Sequence, residues 1–405
     1  MARPCFEWWG RRFSSALPAC GRFFHIRKGA VVGNTRPYLR NDVLSAALVL
    51  ITCLNPLHAE KWQVQYFYDK EKSKLIINDL QFASSTRGVA VGVIVEGRKQ
   101  DPVAVVTSDG GAHWEEVPLK ETPVSLFFLN ENLGWMVTEK GLWQTTEAGK
   151  NWRKLPKLPV PANRVYFADE KTGWAACGKK TVLETRNGGD TWAPVTAAAD
   201  QPGAKDNSGF NWIAFATPEF GLITGYNHPP RRETQEFPAW MDPEEALTRR
   251  ETPHLSYTLV TKDGGKTWKS AAASLFGDVT RVRFGPHGLG VGLIEYTESF
   301  QYPSEAYKIE WTSGKSITIF HDKRFAISDV WLSPDGAVYL AGIALTGELR
   351  SVVPGRVQVL KSEDLTSWKE MEVDYRAVAR HVTFSGAEGN NLWLATESGM
   401  VLKLR

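Results

Sequence analysis

The side chains with the most recognisable chemistry in this 405-residue chain are carboxylates and amides that recur between a threonine and a tryptophan. The clearest copy begins at Thr107 and continues through Asp109 and a Gly-Gly pair to Trp114. Four further copies have their acidic or amide residue and their tryptophan at Glu147 and Trp152, Asn187 and Trp192, Asp263 and Trp268, and Glu363 and Trp368. Such groups could act in catalysis, bind a metal, or hold a turn by accepting backbone hydrogen bonds. Catalytic carboxylates must converge on one site whereas these recur, so we expect turns.

The elements that position these residues are predicted to be short β-strands. Each copy follows a run of β-forming residues such as Val103–Val106, and a second strand begins near its tryptophan. Asp or Asn followed by glycines between two such runs is typical of a β-hairpin. A second recurring pattern precedes each hairpin, with an apolar strand, a polar turn, a glycine and another apolar strand, as in 126–137 and 165–176. Four strands in about 40–50 residues predict one blade of a β-propeller.

The recurring hairpin resembles the Asp-box, or bacterial neuraminidase repeat. The copies at Asp109, Asn187 and Asp263 match it closely, whereas Glu147 and Glu363 differ at the acidic position. The resemblance implies that these residues fix turns, and that their tryptophans pack against neighbouring hairpins.

The repeat predicts an all-β fold, a seven-bladed β-propeller of four-stranded antiparallel blades. The last unit has three strands, and residues 61–66 look like the missing fourth strand, so we expect the N-terminal strand to close the last blade and the ring. The fifth blade has lost its box, and only residues 310–315 stand in its place. The predicted blades span residues 75–119, 125–158, 163–197, 211–272, 279–321, 327–373 and 381–405.

Residues 1–59 do not share this pattern and are predicted to be a signal or targeting leader that precedes the propeller at 60–405. They contain eight Arg and Lys but two acidic residues, and an apolar run over 43–54 is followed by Ala59. This plan favours export to the periplasm or the extracellular space, and the run is too short for a membrane span. A thylakoid-lumen signal, or a lipid anchor at Cys53, is the alternative.

Without the leader, the formal net charge changes from +3 to −3, so the basic balance gives no argument for a nucleic-acid partner. Cys177 is the single cysteine after residue 59, and its position within an apolar strand predicts a buried thiol.

The turns that join strands two and three of each blade must open opposite the box turns. They are tight in blades two and three, and we predict expanded ones over 96–102, 226–255, 296–304 and 344–356. Long loops on a rigid scaffold commonly bind partners. The 226–255 insertion in blade four is the longest. Our predicted partner- or anion-binding residues on this face are Arg231, Arg232, Trp240, Arg249, Arg250, Tyr296 and Tyr302.

Catalysis has weaker support in the sequence. Glu295, Glu298 and Asp242 fall on the looped face, but nothing pairs two carboxylates as a glycosidase requires. The eight histidines show no metal-ligand spacing, and nucleotide-binding loops and a nucleophile elbow are missing. We therefore predict no catalytic residues, no metal and no cofactor.

The phrases at 128–135 and 167–174, combined with the boxes and the ending at 392–404, resemble the photosystem II stability/assembly factor family. The resemblance spans nearly all of the chain after the leader. It implies a non-enzymatic seven-bladed propeller that assists a membrane photosystem subunit. We accordingly predict an exported, monomeric protein that binds a protein partner, such as a membrane-complex subunit. The alternative is a sialidase-like glycoside hydrolase or a glycan-binding lectin.

Overall fold

The described residues fold into seven β-sheets, six of them built from strands that are nearly consecutive in sequence and the seventh completed by the N-terminal strand. This is the seven-bladed β-propeller predicted from the repeat. Strand pairing is antiparallel except for one two-residue parallel contact, of residues 61–62 with 372–373. The structure, a computed structural model, describes residues 60–228, 253–296, 301–345, 355–388 and 391–405. The predicted leader over 1–59 lies outside these residues.

The first strand in the chain is β1 (Lys61–Phe67), and the first three blades follow it. Blade one contains β2 (Ser73–Phe82), β3 (Gly88–Glu96), β4 (Lys99–Thr107) and β5 (Glu115–Pro118). Blade two contains β6 (Pro123–Phe128), β7 (Gly134–Thr138), β8 (Gly141–Thr145) and β9 (Arg153–Lys154). Blade three contains β10 (Ala162–Phe167), β11 (Gly173–Cys177), β12 (Thr181–Thr185) and β13 (Ala193–Pro194).

The remaining four blades include the more elaborate ones. Blade four contains β14 (Ser208–Phe215), β15 (Gly221–Asn227), β16 (His254–Thr261) and β17 (Lys269–Leu275). Blade five contains β18 (Gly277–Phe284), β19 (Leu289–Tyr296), β20 (Ser304–Glu310) and β21 (Lys315–His321). Blade six contains β22 (Phe325–Leu332), β23 (Val338–Ala344), β24 (Gly355–Ser362) and β25 (Lys369–Glu370), and it is followed by β26 (Glu372–Val373) and β27 (Val378–Ala379). Blade seven contains β28 (Val382–Gly386), β29 (Leu392–Thr396) and β30 (Met400–Leu404).

Helices are few and short in the described residues. One α-helical turn, α1 (Thr196–Ala199), and a 3-10 turn at Lys205–Asn207 lie between blades three and four. A second 3-10 turn at Pro286–Gly288 joins β18 to β19. Across the described ranges, no helix has the length and hydropathy to cross a membrane.

The ring is closed by the N-terminal strand, as predicted. β1 pairs antiparallel with β30, with Trp62 opposite Leu404 and Phe67 opposite Met400. Trp62 is only 1% exposed and its ring lies 5.7 Å from that of Phe384 in the first strand of the same blade. Because both ends of the described chain share one sheet, opening the ring would break its hydrogen bonds.

Burial of a strand depends on its position in the blade. The second strands are apolar and buried along most of their length, as in β3, β7 and β11, because sheets cover them on both sides. The fourth strands β5, β9 and β13 are short and mainly exposed. Short outer strands with charged residues or proline protect an edge against pairing with other chains.

Stacked aromatic rings join neighbouring blades. Trp135 of β7 stacks on Phe167 of β10 with ring centroids 3.6 Å apart and an interplanar angle of 6°. Trp393 of β29 stacks on Phe82 of β2 in the same way, at 3.6 Å and 5°. The stacked residues belong to the recurring sequence pattern of an apolar strand, a glycine and another apolar strand. Much of the core therefore lies between blades rather than within one.

The innermost strands of six blades each carry a β-bulge in their first half or near their middle. In three of them the extra residue is an asparagine whose amide donates to a backbone carbonyl of the next blade. The donors Asn78, Asn163 and Asn211 reach the carbonyl oxygens of Pro123, Phe210 and Val279 at 2.7, 2.8 and 3.3 Å. The bulges therefore place polar groups around the central channel.

Candidate partner-binding face

The propeller has two chemically different faces because each blade alternates its turns. The box turns join the third and fourth strands, for example β16 to β17. The connections from the second to the third strand open at the opposite end, as from β15 to β16. We call this second end the looped face.

The predicted expansion of the looped face is wrong for blade one. β3 ends at Glu96 and β4 begins at Lys99, so the hairpin connection has two residues. Gly97 has φ of +59°, which allows this tight turn, and residues 99–102 continue the ladder opposite 93–96. The extra residues lengthen the strands instead of forming a loop.

In blades four, five and six the connections are long in the structure as well. β15 ends at Asn227 and β16 begins at His254, β19 ends at Tyr296 and β20 begins at Ser304, and β23 ends at Ala344 and β24 begins at Gly355. The connection from blade three to blade four, which contains α1, opens on the same face and was missed in the sequence.

The predicted partner-binding residues fall into two groups. Arg231, Arg232, Trp240, Arg249 and Arg250 lie outside the described residues. The two tyrosines of blade five lie together and contact each other.

Tyr296 and Tyr302 have ring centroids 5.4 Å apart in an edge-to-face arrangement. The Tyr296 hydroxyl donates to Glu305 Oε2 at 2.8 Å, and Tyr302 stacks on His321 with centroids 4.3 Å apart. Burial, followed by the hydrogen bond to Glu305, raises the pKa of Tyr296, so its hydroxyl stays protonated. Tyr296 and Tyr302 thus form a partly buried aromatic pair next to the blade-five loop, which we call the tyrosine step.

The looped face also holds a group that the sequence analysis did not predict. His228 follows β15, His254 begins β16, and Asp278 is the second residue of β18 in the next blade. Asp278 Oδ2 lies 2.8 Å from His228 Nε2, and Asp278 Oδ1 lies 3.0 Å from His254 Nε2. Within the described residues, these three offer ligand atoms that all lie within 4.8 Å of one another. They could hold a metal ion.

The electrostatics of this group are coupled. The hydrogen bond to Asp278 raises the pKa of His228. Burial acts to raise the pKa of Asp278, but the hydrogen bonds from both histidines outweigh it and the net shift is downward. The carboxylate is therefore held in its charged form between the two blades.

One of the three carboxylates considered for glycoside hydrolysis, Glu295, lies within the described residues. Glu295 accepts a hydrogen bond from Thr280 Oγ1 at 2.8 Å. Glu298 and Asp242 lie outside the described residues.

Charged side chains also meet across the central channel. Arg164 of blade three lies 3.3 Å from Asp79 of blade one, and because these blades are not neighbours the contact must cross the centre. Arg281 and Arg283 of blade five lie 3.4 and 3.7 Å from the fully buried Asp329 of blade six. The cluster therefore links four blades through ion pairs.

Trp212 of blade four lies at the middle of this cluster. The guanidinium carbons of Arg164, Arg281 and Arg283 are 4.2, 4.8 and 5.3 Å from its ring centroid. Burial lowers the pKa of Arg164 and of Arg283, yet a guanidinium remains charged in proteins. Cation–π contacts and the two aspartates thus compensate three arginines that crowd together. A signal existed in the sequence, since a polar residue and then Asp, Arg or Trp recur inside the inner strands at 78–79, 163–164, 211–212, 280–281 and 328–329.

The box turns on the opposite face share one hydrogen-bond pattern. Thr107 Oγ1 accepts from the Gly111 N–H at 3.0 Å and donates to Asp109 Oδ1 at 2.9 Å. Asp109 Oδ1 also accepts from the His113 N–H at 2.9 Å, and Trp114 Nε1 donates to the Gly111 carbonyl at 3.1 Å. Threonine and carboxylate together satisfy the backbone of the turn.

The copies at Asn187 and Asp263 keep the threonine and side-chain oxygen bonds, but only Trp192 Nε1 donates to its glycine carbonyl, at 3.0 Å, whereas Trp268 Nε1 has no hydrogen-bond partner among the described residues. Each accepts the N–H of the residue four positions on, Thr191 or Thr267, at 2.9 Å. The side-chain hydrogen bond from Thr267, then its backbone bond, lowers the pKa of Asp263 to about 2. Trp192 and Trp268 pack edge-to-face on Phe167 and Phe215.

The copy at Glu147 has the same threonine hydrogen bond, but its acidic side chain accepts from a different donor. The Gly149 N–H still donates to Thr145 Oγ1 at 3.1 Å, and Trp152 Nε1 donates to the Gly149 carbonyl at 2.8 Å. Glu147 Oε2 accepts from the Asn151 side chain at 2.7 Å. The longer side chain reaches a side-chain amide.

The prediction that Glu363 occupies the acidic position of the last copy is wrong. Asp364 Oδ1 accepts from the N–H groups of Thr366 and Ser367 at 2.8 and 2.7 Å. Glu363 is 80% exposed and lies 3.6 Å from Lys361. This turn reaches Trp368 one residue sooner than the other copies, which hid the correct alignment of Ser362 and Asp364 with Thr107 and Asp109.

A closed ring of seven repeated blades with long connections on one face defines the class of this protein as a seven-bladed propeller with an elaborated looped face. No model of a known protein family matches the chain. The photosystem II assembly lipoprotein Ycf48 of Synechococcus sp. (strain CC9902) is 30% identical over 132 residues, which are 30% of this chain and 37% of that protein. The matched part thus spans little more than a third of this curated relative. The resemblance predicted from the repeated phrases is confirmed.

Two solved structures of YCF48 have the same fold. The structure of YCF48 bound to a D1 peptide has a TM-score of 0.53 at 15% identity, covering 84% of this chain and 99% of that one. YCF48 from Cyanidioschyzon merolae has a TM-score of 0.54 at 15% identity, covering 85% of this chain and 98% of that one. At these identities the similarity establishes the propeller fold.

Proposed function

We propose that this chain is an exported, non-catalytic propeller that binds a protein partner through its looped face and assists the assembly of a membrane complex. The observation that carries the proposal is the 30% identity to an assembly lipoprotein for photosystem II. The fold of YCF48, captured with a D1 peptide bound, supports a peptide segment of a membrane subunit as the ligand.

The leader and the monomeric state remain part of this proposal. A leader over 1–59 would deliver the propeller to the periplasm, the extracellular space or a thylakoid lumen, or would leave it lipid-anchored through Cys53. A ring that pairs its own first and last strands needs no second copy to cover a sheet edge.

The looped face is the proposed binding surface because its connections differ between blades, whereas the box turns repeat. Arg231, Arg232, Arg249 and Arg250 would supply positive charge, and Trp240 with the tyrosine pair would supply aromatic contact. Of these residues, only those of the tyrosine step, Tyr296 and Tyr302, lie within the part of the chain that the structure describes.

The test uses a fluorescent D1 peptide, the ligand class of the similar YCF48 structure, and measures binding by anisotropy. Changing the four arginines to Ala should weaken binding at least tenfold. The matched control changes four exposed cations of the box face, Lys150, Arg186, Lys262 and Lys266, and so removes the same charge from the opposite end. Its affinity should fall less than threefold.

Equal losses in the two variants would mean that bulk charge, not the looped face, recruits the peptide. An unchanged affinity in the four-arginine variant would remove these residues from the site. A panel of chromogenic glycosides tests the alternative of a glycosidase, and turnover abolished by Glu295→Gln would contradict the non-catalytic proposal.

A further inference from the structure

Two histidines and an aspartate meet where blades four and five touch on the looped face. His228 Nε2 lies 3.0 and 2.8 Å from the two carboxylate oxygens of Asp278, and His254 Nε2 lies 3.0 Å from Oδ1. The two imidazole rings are perpendicular, at 89° with centroids 4.8 Å apart. Perpendicular rings can direct two nitrogens at a point beside one carboxylate without clashing.

The donor set matches a borderline divalent metal. Two imidazole nitrogens and one carboxylate oxygen are typical ligands of Zn²⁺ and of neighbouring transition metals, whereas Ca²⁺ and Mg²⁺ prefer oxygen alone. Tetrahedral bonds of about 2.0–2.2 Å place ligand atoms roughly 3.3–3.5 Å apart. The nitrogen–oxygen distances of 2.8–3.0 Å are about half an ångström shorter, and the three ligand atoms lie within 4.8 Å of one another, so side-chain rotations have to adjust these separations for an ion to enter.

The ligands are held by strands and by surrounding contacts. His254 is only 8% exposed and its backbone pairs with Leu275 in the β16–β17 ladder. The backbone N–H of His228 donates to the Asn207 carbonyl at 2.8 Å, and its ring stacks on Tyr226 with centroids 4.4 Å apart. Outer contacts that fix a ligand's orientation are a regular part of metal sites.

The half-exposed position of His228 gives the group access to solvent. The side chain of His228 is 48% exposed, against 9% for His254 and 24% for Asp278. A three-ligand site with one side toward solvent leaves at least one coordination position for water or another ligand.

We propose that His228, His254 and Asp278 form a binding site for a divalent transition metal, with Zn²⁺ as the preferred probe and at least one coordination position open. The ion would join the strand ends on either side of residues 229–252 to the first strand of blade five. This site is independent of the proposed partner binding.

The alternative is a purely hydrogen-bonded cluster in which both Nε2 atoms carry protons and donate to Asp278. In a metal site the same nitrogens must be deprotonated, with the protons on Nδ1. Zinc titration therefore distinguishes the metal site from the hydrogen-bonded cluster.

The experiment measures Zn²⁺ binding to the untagged, metal-stripped chain by competition with a chromogenic zinc indicator. The wild type should bind one Zn²⁺ per chain with micromolar or tighter affinity. His228→Ala and Asp278→Asn should each weaken binding at least tenfold. Asp278→Asn conserves the shape of the side chain, and circular dichroism of both variants in chelator checks that they fold.

His113→Ala is the matched control, because His113 pairs with Asp109 at 2.6 Å but is 91% exposed and forms a pair without a second histidine. It should bind Zn²⁺ like the wild type. Co²⁺ added to the wild type should give visible ligand-field absorption that Asp278→Asn lacks. Equal zinc affinity of the wild type and Asp278→Asn, or no binding to either, would overturn the proposal.

Discussion

The two faces of the propeller are stabilised over different distances along the chain. A box turn is held by contacts within one short hairpin, since Thr107, Asp109, Gly111 and Trp114 bond one another. On the looped face, Asp278 bonds histidines that are 24 and 50 residues away in sequence. The hydrogen bonds of a box turn are thus formed within one hairpin, whereas the His–Asp group of the looped face forms only when blades four and five pack together.

This difference separates what the fold requires from what distinguishes this protein. The Thr–Gly hydrogen bond appears in four of the turns with nearly the same distance. The His–Asp group and the tyrosine step each occur once in the described residues. Repetition marks structural contacts, and a single occurrence on the elaborated face marks the candidates for function.

The largest expected effect is a matched pair of glycine substitutions at opposite faces. Gly265 in a box turn has φ of +83°, and an added Cβ would lie 2.2 Å from the buried Trp174 ring. Gly265→Ala should cost about 1–3 kcal/mol from overpacking and about 1–2 kcal/mol from the left-handed backbone. Urea unfolding measures the loss.

The control, Gly97→Ala, lies at the tip of the blade-one hairpin. Its φ is +59° and nothing lies within 4 Å of an added Cβ. We expect only the backbone penalty, about 1–2 kcal/mol. A larger loss at Gly97 than at Gly265 would contradict the view that box turns are packed against the neighbouring blade and the looped hairpin is free.

A smaller effect is expected from the two ends of β12. Thr185 is 1% exposed and accepts the buried Gly189 N–H at 3.0 Å, so Thr185→Val leaves that donor unpaired at a cost of about 1–3 kcal/mol. Thr181, at the looped end, donates to the Lys179 carbonyl in an exposed position. Thr181→Val should change stability by less than about 0.5 kcal/mol. Thermal melts of both variants test the difference, and equal shifts would contradict it.

How much of the fold the sequence predicts depends on how far apart in the chain the contacting residues lie. The box residues repeat at short spacing, so their side-chain types and turn glycines predict the hairpins, the blades and the ring closure by Lys61–Phe67. Two features did not follow from the spacing: the turn at Asp364 is one residue shorter, and the strands on either side of Gly97 are longer where a loop was predicted.

The His–Asp group and the channel cluster could not be predicted in the same way. His228 and His254 are separated by a long insertion, and Asp278 belongs to the next blade. Arg164 of blade three meets Asp79 of blade one although blade two lies between them, since both residues belong to inner strands that line the channel. The recurring dipeptides mark the inner-strand residues, but which of them pair with one another depends on the register and bulge of each inner strand.

The last prediction concerns the tight turn between β7 and β8 on the looped face, which a buried carboxylate contacts. Glu121 precedes blade two and its side chain is 10% exposed. It accepts hydrogen bonds from Thr138 Oγ1 at 2.7 Å and Trp143 Nε1 at 2.9 Å, and it pairs with Lys154. Burial acts to raise the pKa of Glu121, but these partners outweigh it and lower the pKa from 4.5 to about 2.

A carboxylate with a lowered pKa in the folded state stabilises the protein above its unfolded value and loses this contribution as the pH falls. The stability that Glu121 adds should therefore be complete above about pH 4.5 and vanish as the pH approaches 2. Glu121→Gln should be less stable than the wild type at pH 7, by a smaller margin than Gly265→Ala or Thr185→Val because the amide oxygen can still accept a bond, and the two proteins should converge in acid. Glu139→Gln, an exposed change in the β7–β8 turn that Glu121 contacts, should follow the wild type at every pH. Denaturant midpoints measured from pH 7 to pH 2 give the comparison, and a constant gap between wild type and Glu121→Gln across that range would mean that packing, rather than the charge of this carboxylate, closes the turn.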